Sequence, residues 1–462
     1  MCIYCVSLSS CEFLTYASFN SIVKRINKSD KTLTCVWSVE LHFGSEAADI
    51  IAGAMRGNIY VTALRLGNNI CDGGVEQLAY MLWYNKTLKV LDLSGNSSIS
   101  ARGVKFLADA LEKNTTLTKL ILSKTNVKQK ACVALSSMLA VNKTLTTLDV
   151  SCNNIGDRGV KALLGKSNHS LTTLSIANNI ITSAGAIVLA NFMETNNTIK
   201  ELDVSNNNFD TKGIRALVDG LQYNSGLRKL SISNTGISLA GAIVLANFMK
   251  TNNTIKELDV SSNNFNSEVI IALLKYGLQY NSGIIKLSIS NNGISLPGAI
   301  VLANFMETNN TIKELDVSSN NFNSEVIIAF MRMLLINKTL TNVNFNNIST
   351  FNNDAVKSML RMFESNTTLN TLTMINTYSN IENYWLLNTN WTTQLEVGLE
   401  SNYSLTTFET NIVSSKISDI LFNNKYRKLY ITLMLLFSAY GSIVPSLVVQ
   451  RIVDNVLRMP NF

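Results

Sequence analysis

An eleven-residue motif, L-x-x-L-x-L-x-x-N-x-I, returns along this chain with a period of about 28 residues. It reads LTTLDVSCNNI at 145–155, LTTLSIANNII at 171–181, IKELDVSNNNF at 199–209 and LRKLSISNTGI at 227–237. It continues as IKELDVSSNNF at 255–265, IIKLSISNNGI at 284–294 and IKELDVSSNNF at 312–322. Looser copies start at Val61, Leu88, Leu117, Leu340, Leu369 and Leu405, and a truncated one, VWSVEL, starts at Val36. By length alone, 462 residues suggest about three domains, but a fixed period of this kind overrides that prior.

The L-x-L step, as in Leu91/Leu93, Leu148/Val150 and Leu202/Val204, has the period of a strand, so both apolar side chains point to one face. The Asn column is Asn69, Asn96, Asn153, Asn179, Asn207, Asn263, Asn292 and Asn320. There the chain leaves the strand in a bend, and a buried amide can satisfy backbone groups that the bend opens. Thr125 and Thr235 take this place in two units and can satisfy fewer groups. The second half of each unit reads as a helix. GAIVLANFMETN at 185–196 is expected to turn Ile187, Val188, Leu189 and Phe192 to one side. An Asn-x-Thr or Asn-Ser-Gly step closes the helix, and Asn tolerates the left-handed conformation found at helix ends. One strand and one helix cannot bury their apolar faces alone. Stacked copies can, which predicts an α/β solenoid with parallel strands on a concave face and helices on a convex one.

A larger period lies inside the array. ITSAGAIVLANFM (181–193), ISLAGAIVLANFM (237–249) and ISLPGAIVLANFM (294–306) are 56 and 57 residues apart, so a two-repeat block recurs within 171–339. The extra residue of the second block falls near Lys275–Gly277, where a bulge or a longer helical turn is expected. The outward strand positions are the second, third and fifth of each unit. The third column reads Glu201, Lys229, Glu257, Lys286, Glu314; the fifth includes Asp203, Asp259 and Asp316; the second includes Lys200, Arg228, Lys256 and Lys313. The six acidic and six basic side chains among these positions neutralise one another. These twelve residues are the candidate protein-binding positions.

The motifs resemble the ribonuclease-inhibitor type of leucine-rich repeat, found in ribonuclease inhibitor, the sensor regions of NOD-like receptors, Ran GTPase-activating protein and tropomodulin. The resemblance covers roughly residues 36–424 and implies a leucine-rich-repeat horseshoe. It also implies a non-enzymatic scaffold that binds a protein partner on the concave face. One alternative implied by the same resemblance is a GTPase activator of the Ran type. No residue here matches such a role, and the C-terminal stretch is basic and apolar rather than acidic. A membrane-tethered receptor or adaptor is the other alternative.

Composition narrows the choice. A surplus of +7 spread over 462 residues is too dilute for nucleic acid, which calls for basic charge concentrated on one face. There is no G-x-x-x-x-G-K-[ST] loop, and His42 and His169 are isolated, so no catalytic residue, cofactor or metal is assigned. Residues 1–35 are expected to form an N-terminal cap. Cys2, Cys5 and Cys11 lack the second ligand pair of a zinc site, so the cap is expected to carry ordinary thiols. Seven Cys without framework spacing point to a reducing compartment, and the chain is expected to be cytoplasmic. Most of the Asn-x-Ser/Thr sequons recur at one step of the repeat, so the template explains them without glycosylation. Trp385 and Trp391 lie where the pattern degrades and are read as packing beneath an irregular cap. Residues 425–462 form an apolar C-terminal segment. Its uncharged stretch 429–449 is long enough to span a membrane, but the amphipathic run after Val444 favours a cap over membrane contact.

Overall fold

In this computed structural model the described residues are 11–38, 44–67, 69–320, 322–348, 352–375, 397–400 and 404–410, with Asn402 and Ile420 besides. The segment 425–462 and the two Trp at 385 and 391 lie outside them. The chain forms two compact units, 1–263 and 264–462.

Among the described residues of the first unit, ten strands alternate with nine helices. The strands are β1 (Cys11–Phe13), β2 (Cys35–Ser38), β3 (Ala63–Leu66), β4 (Val90–Asp92), β5 (Lys119–Ile121), β6 (Thr147–Asp149), β7 (Thr173–Ser175), β8 (Glu201–Asp203), β9 (Lys229–Ser231) and β10 (Glu257–Asp259). The helices are α1 (Phe19–Asn27), α2 (Gly44–Met55), α3 (Asp72–Tyr84), α4 (Ala101–Leu111), α5 (Gln129–Val141), α6 (Gly156–Leu163), α7 (Ser183–Thr195), α8 (Asp210–Leu221) and α9 (Leu239–Thr251). Each strand pairs in parallel with the next in sequence. The second unit continues the alternation with α10 (Ser267–Tyr276), β11 (Lys286–Ser288), α11 (Leu296–Thr308), β12 (Glu314–Asp316), α12 (Ser324–Ile336), β13 (Asn342–Asn344), α13 (Asn353–Ser365), β14 (Thr371–Met374) and β15 (Thr407–Thr410). Its strands are also parallel and sequential.

The core lies between the strands and the helices. Leu91, Leu148, Leu202, Leu230 and Leu258 are stacked in register at the strand centres and are essentially without solvent contact. Each buried Leu of this kind contributes roughly 1.5–3 kcal/mol against exposure. The helices meet this column with small residues as much as large ones. In α7 the buried residues are Gly185, Ala186, Leu189, Ala190 and Met193. Ile187, Val188 and Phe192, expected on the inner side with Leu189, are only half-buried. The reason is spacing: successive helices pack directly against one another, so the flanks of each helix also need apolar cover.

Two columns of Asn amides join one repeat to the next. At the strand exit, Asn153 Nδ2 donates to Leu122 O of the preceding repeat (2.6 Å) and to its own Val150 O (3.0 Å). Its Oδ1 accepts from Thr125 N (3.0 Å) and Val127 N (3.2 Å). Asn207 repeats this with Ile176 O, Val204 O, Asn179 N and Ile181 N, and Asn320 with Ile289 O, Val317 O, Asn292 N and Ile294 N. Thr125 and Thr235 each donate one hydroxyl proton, to Leu122 O and Ile232 O of their own units, and reach no carbonyl of the preceding repeat.

The second column sits at the helix ends and corrects an expectation. Asn85, Asn114, Asn142 and Asn224 are buried. The first and third have extended backbone, with Asn142 at φ −71°, ψ 129°, rather than the left-handed form expected of a helix-closing Asn. Asn142 Oδ1 accepts from Thr144 N (2.8 Å) and Leu145 N (2.7 Å), which turns the chain into the next strand. Its Nδ2 donates to Leu111 O (2.6 Å), an otherwise open carbonyl at the end of the preceding helix. Left-handed residues lie instead at the strand exit, immediately before the ladder amide, as at Cys152, Asn178, Asn206 and Ser262.

Three further expectations are corrected. Asn69 is exposed, at φ 70°, and does not take the buried place of the other ladder Asn, because its unit has one residue fewer between Leu66 and Ile70 than most others have at this step. The truncated copy does not start at Val36. Val36 lies opposite Leu64, so that unit starts at Leu33, which is fully buried. In the segment expected as a cap with ordinary thiols, Cys11 and Cys35 face each other on β1 and β2 and are disulfide-bonded, Cα to Cα 4.6 Å. The repeat stack therefore extends to β1, which the sequence motif alone does not mark. Arg25 of α1 binds Glu12 and Asp30.

Two stability predictions follow from these positions. Asn207→Ala leaves several buried backbone groups unpaired and is expected to cost at least about 2 kcal/mol, with Asn207→Thr costing less. Urea midpoints of the two variants check this, and equal midpoints would refute the ladder assignment. Ile180 is a β-branched residue at φ 57° and is 64% exposed, where the other two blocks carry Gly236 and Gly293 at positive φ. Ile180→Gly is expected to stabilise the fold by about 1 kcal/mol, and a lowered midpoint would contradict this.

Candidate functional site on the open face of the sheet

The outward side of the strands carries the candidate residues in register. Glu201, Lys229 and Glu257 lie side by side on β8, β9 and β10, and Lys286 lies beside Glu314 on β11 and β12. Lys229 pairs with Glu257 at 3.6 Å and Lys286 with Glu314 at 2.9 Å. Their side chains remain 37–51% exposed, so each pair contributes only about 0–1 kcal/mol. These rows shape the surface more than they hold the fold.

The fifth column is more deeply committed. Asp203 Oδ1 accepts from the Ser205 amide and hydroxyl, and Asp259 Oδ1 does the same with Ser261. Their second oxygens accept from Ser175 and Ser231 across the strands, at 3.3 and 3.1 Å. Asp316 accepts from Ser318 N at 3.0 Å. These carboxylates cap the strand exits and are half-buried. The second column bends away. Lys200, Arg228 and Lys256 donate to Asn197 O, Ser225 O and Asn253 O at the preceding turn, while Lys313 stands exposed. Of the twelve candidates, Lys200, Arg228 and Lys313 of the second column and Lys286 of the third are exposed, and the others are half-buried.

The same rows change character toward β1. The fifth column there reads Phe13, Trp37, Arg65 and Asp92. Phe13 and Trp37 are 6.4 Å apart, the Arg65 guanidinium lies 4.8 Å from the Trp37 ring, and Arg65 pairs with Asp92 at 3.3 Å. The motif search missed this group because the first two strands depart from the repeat consensus. Their alternation, Cys11-x-Phe13 and Cys35-x-Trp37, is the only signal that the sequence offers for them.

Asp149, in the same column, is half-buried. Burial pushes its carboxyl above the usual range, helped by the carboxylates of Asp203 and Asp92, while the Ser151 donors pull it back down. Among the free thiols, burial pushes Cys132 up to about 12. The exposed Cys71 is lowered by the Ser45 hydroxyl and the amides that open α3. In the second block the extra residue ends α10 at Gly277, and one short 3-10 turn, Leu278–Tyr280, completes the helical half.

The Leucine Rich repeat family model matches residues 84–108, 141–164, 167–190, 195–218, 251–274 and 308–331. These segments are leucine-rich repeats, and the chain stacks them as a solenoid of parallel strands and helices. Among solved structures the chain is similar to actin-binding site 2 of leiomodin-1, with 17% identity over 33% of this chain and 88% of the other, at a TM-score of 0.30. It is also similar to the Rad7 and Elc1 complex of yeast, with 15% identity over 79% of this chain and 86% of the other, at a TM-score of 0.49. No curated protein sequence matches it.

Asp149 gives a pH prediction. A carboxyl whose folded pKa is raised is destabilising once it must ionise, so its cost appears as pH rises through the ordinary carboxylate range, near 4, toward neutrality. Asp149→Asn keeps the acceptor for Ser151 N, a role that Asn344 plays for Asn346 N in β13. The variant is expected to gain stability at neutral pH and to lose that gain at low pH. Thermal melts at both pH values test this, and an equal effect at each would refute it.

Proposed function

We propose that this protein is a non-enzymatic interaction scaffold of the ribonuclease-inhibitor-like type, which holds a protein partner against the open, concave face of its sheet. The observation that carries this reading is the division of labour within each repeat. Inward side chains and amides hold the stack, while the third-column charges stand half-exposed in fixed rows. A rigid surface of this kind loses little conformational freedom on binding. Its alternating signs suit a partner with complementary alternating charge, and like-charge mispairing gives it selectivity.

The test is affinity capture and titration with wild type and with Lys229→Glu together with Lys286→Glu. The double reversal removes both ion pairs and leaves the third column with five acidic residues from Glu201 to Glu314. Affinity for a captured partner is expected to fall by about tenfold or more, with part of the loss relieved by salt screening. A partner that binds the double variant unchanged would move the interface away from this face.

A further inference from the structure

On the helix side of the first unit, α3 presents three aromatic residues to solvent. Tyr80, Trp83 and Tyr84 are 42, 51 and 53% exposed. Their spacing of three and four residues puts them on one helix face. Tyr80 lies 5.1 Å from Tyr84 and 6.4 Å from Trp83, and the two tyrosine hydroxyls are 3.3 Å apart.

The repeat supplies its own baseline for these positions. Counted back from the buried Asn that follows each helix, the same three places hold Asp109, Glu112 and Lys113 in α4. They hold Asn191, Glu194 and Thr195 in α7, and Asn247, Lys250 and Thr251 in α9. No other helix of this unit puts rings at all three. The fold therefore does not demand aromatic side chains here.

The preceding repeat has Gly53, Arg56 and Gly57 at the matching places. A Cβ built on either glycine would meet nothing within 4 Å. The rings thus border a shallow, open trough between α2 and α3. The Arg56 guanidinium lies 4.4 Å from the centre of the Tyr80 ring and has no carboxylate within ion-pair distance among the described residues.

We infer that this trough binds a proline-rich segment of a partner protein that carries a carboxylate beside its prolines. Tyr and Trp rings pack against pyrrolidine faces. Tyr84 donates its hydroxyl proton to Tyr80, which leaves the Tyr80 hydroxyl to donate to a backbone carbonyl, a group that a polyproline II segment leaves free along its length. Such a segment is already extended, so an open trough can hold it at a low ordering cost. The exposed cation of Arg56, seated on a ring, complements the carboxylate. This surface is separate from the open face of the sheet and can succeed or fail independently of it.

The test uses the full chain and a fluorescein-labelled peptide of about ten residues, three turns of polyproline II with one Glu, read by anisotropy. A control peptide has alanine in place of each proline. The proline peptide is expected to bind and the alanine peptide to bind far more weakly. Tyr80→Asp, Trp83→Glu and Tyr84→Lys together give α3 the outward residues of α4, which the repeat accommodates. This variant should keep its melting transition and lose at least about tenfold in affinity. Arg56→Gln should weaken binding of the Glu peptide several-fold and leave a Gln-substituted peptide unaffected. Equal binding of the two peptides, or undiminished affinity in the triple variant, overturns the inference. So does an inert peptide, whether the triple change instead abolishes sedimenting self-association, which would assign the face to a second copy, or flotation with anionic phospholipid vesicles, which would assign it to a membrane.

Discussion

The stack depends on one interaction, the carboxamide of Asn placed between the backbones of consecutive repeats. A strand of three residues followed at once by a bend leaves amides and carbonyls that no sheet or helix satisfies. Asn is the side chain of the right length with a donor and an acceptor fixed in one plane. At the strand exit its Nδ2 reaches back to the preceding carbonyl while its Oδ1 receives two amides. Thr125 N donates to Asn153 Oδ1, Asn153 N to Asn179 Oδ1, and Asn179 N to Asn207 Oδ1, so the bonds form one line across these repeats, between the two units that carry Thr in place of Asn. Bonds connected in this way polarise one another, and breaking one leaves its neighbours in a low-dielectric interior. The short strands, the tight bends and the parallel register all presuppose this line.

Much of the scaffold was legible in the sequence because a repeat states the same packing problem many times. The L-x-L step identified Leu202 and Val204 as inward, and both are buried. The outward charges also fell in the expected rows. What the motif concealed was register at its degenerate end and the second role of Asn. Leu33-x-x-Val36 lacks the closing Asn, so the motif puts the start of that unit three residues late. Asn142 looks like a local helix stop in the sequence, whereas its most telling partner, Leu111 O, is a repeat away. The large apolar residues of α7 misled for a related reason. In a stack, a half-buried flank needs Ile and Phe as much as the inner face needs Leu, while close helix approach selects Ala and Gly for the centre.

The two sides of the stack follow different rules. Equivalent positions on adjacent strands are ~4.8 Å apart, so a repeated charge would face its own copy. The alternation of Glu and Lys across β8, β9 and β10 resolves that conflict, and the Asp and Ser alternation below it does the same through hydrogen bonds. Adjacent helices are about 8–10 Å apart, twice the strand spacing, so an outward side chain there is less closely faced by its own copy in the next repeat. There each repeat can change its outward residues without consulting its neighbour. The helix side is thus where single units can depart furthest from the template, as α3 does with its three rings.

The sequons follow from the same geometry. In Asn-x-Thr at 85, 114, 142, 337 and 366, the Asn closes the turn into the next strand through Oδ1. At Thr87 and Thr116 the hydroxyl of the third residue donates to the carbonyl of the preceding repeat's Asn. The pair is therefore selected as a hydrogen-bonding unit, and its likeness to a glycan acceptor is incidental. Glycan attachment requires Nδ2, and in these units Nδ2 is bonded to the end of the preceding helix, at 2.6 Å for Asn85, Asn114, Asn142 and Asn337. A sugar there would have to displace the bond that joins two repeats. The amide can serve the stack or carry a glycan, and its burial in one unit after another commits it to the stack.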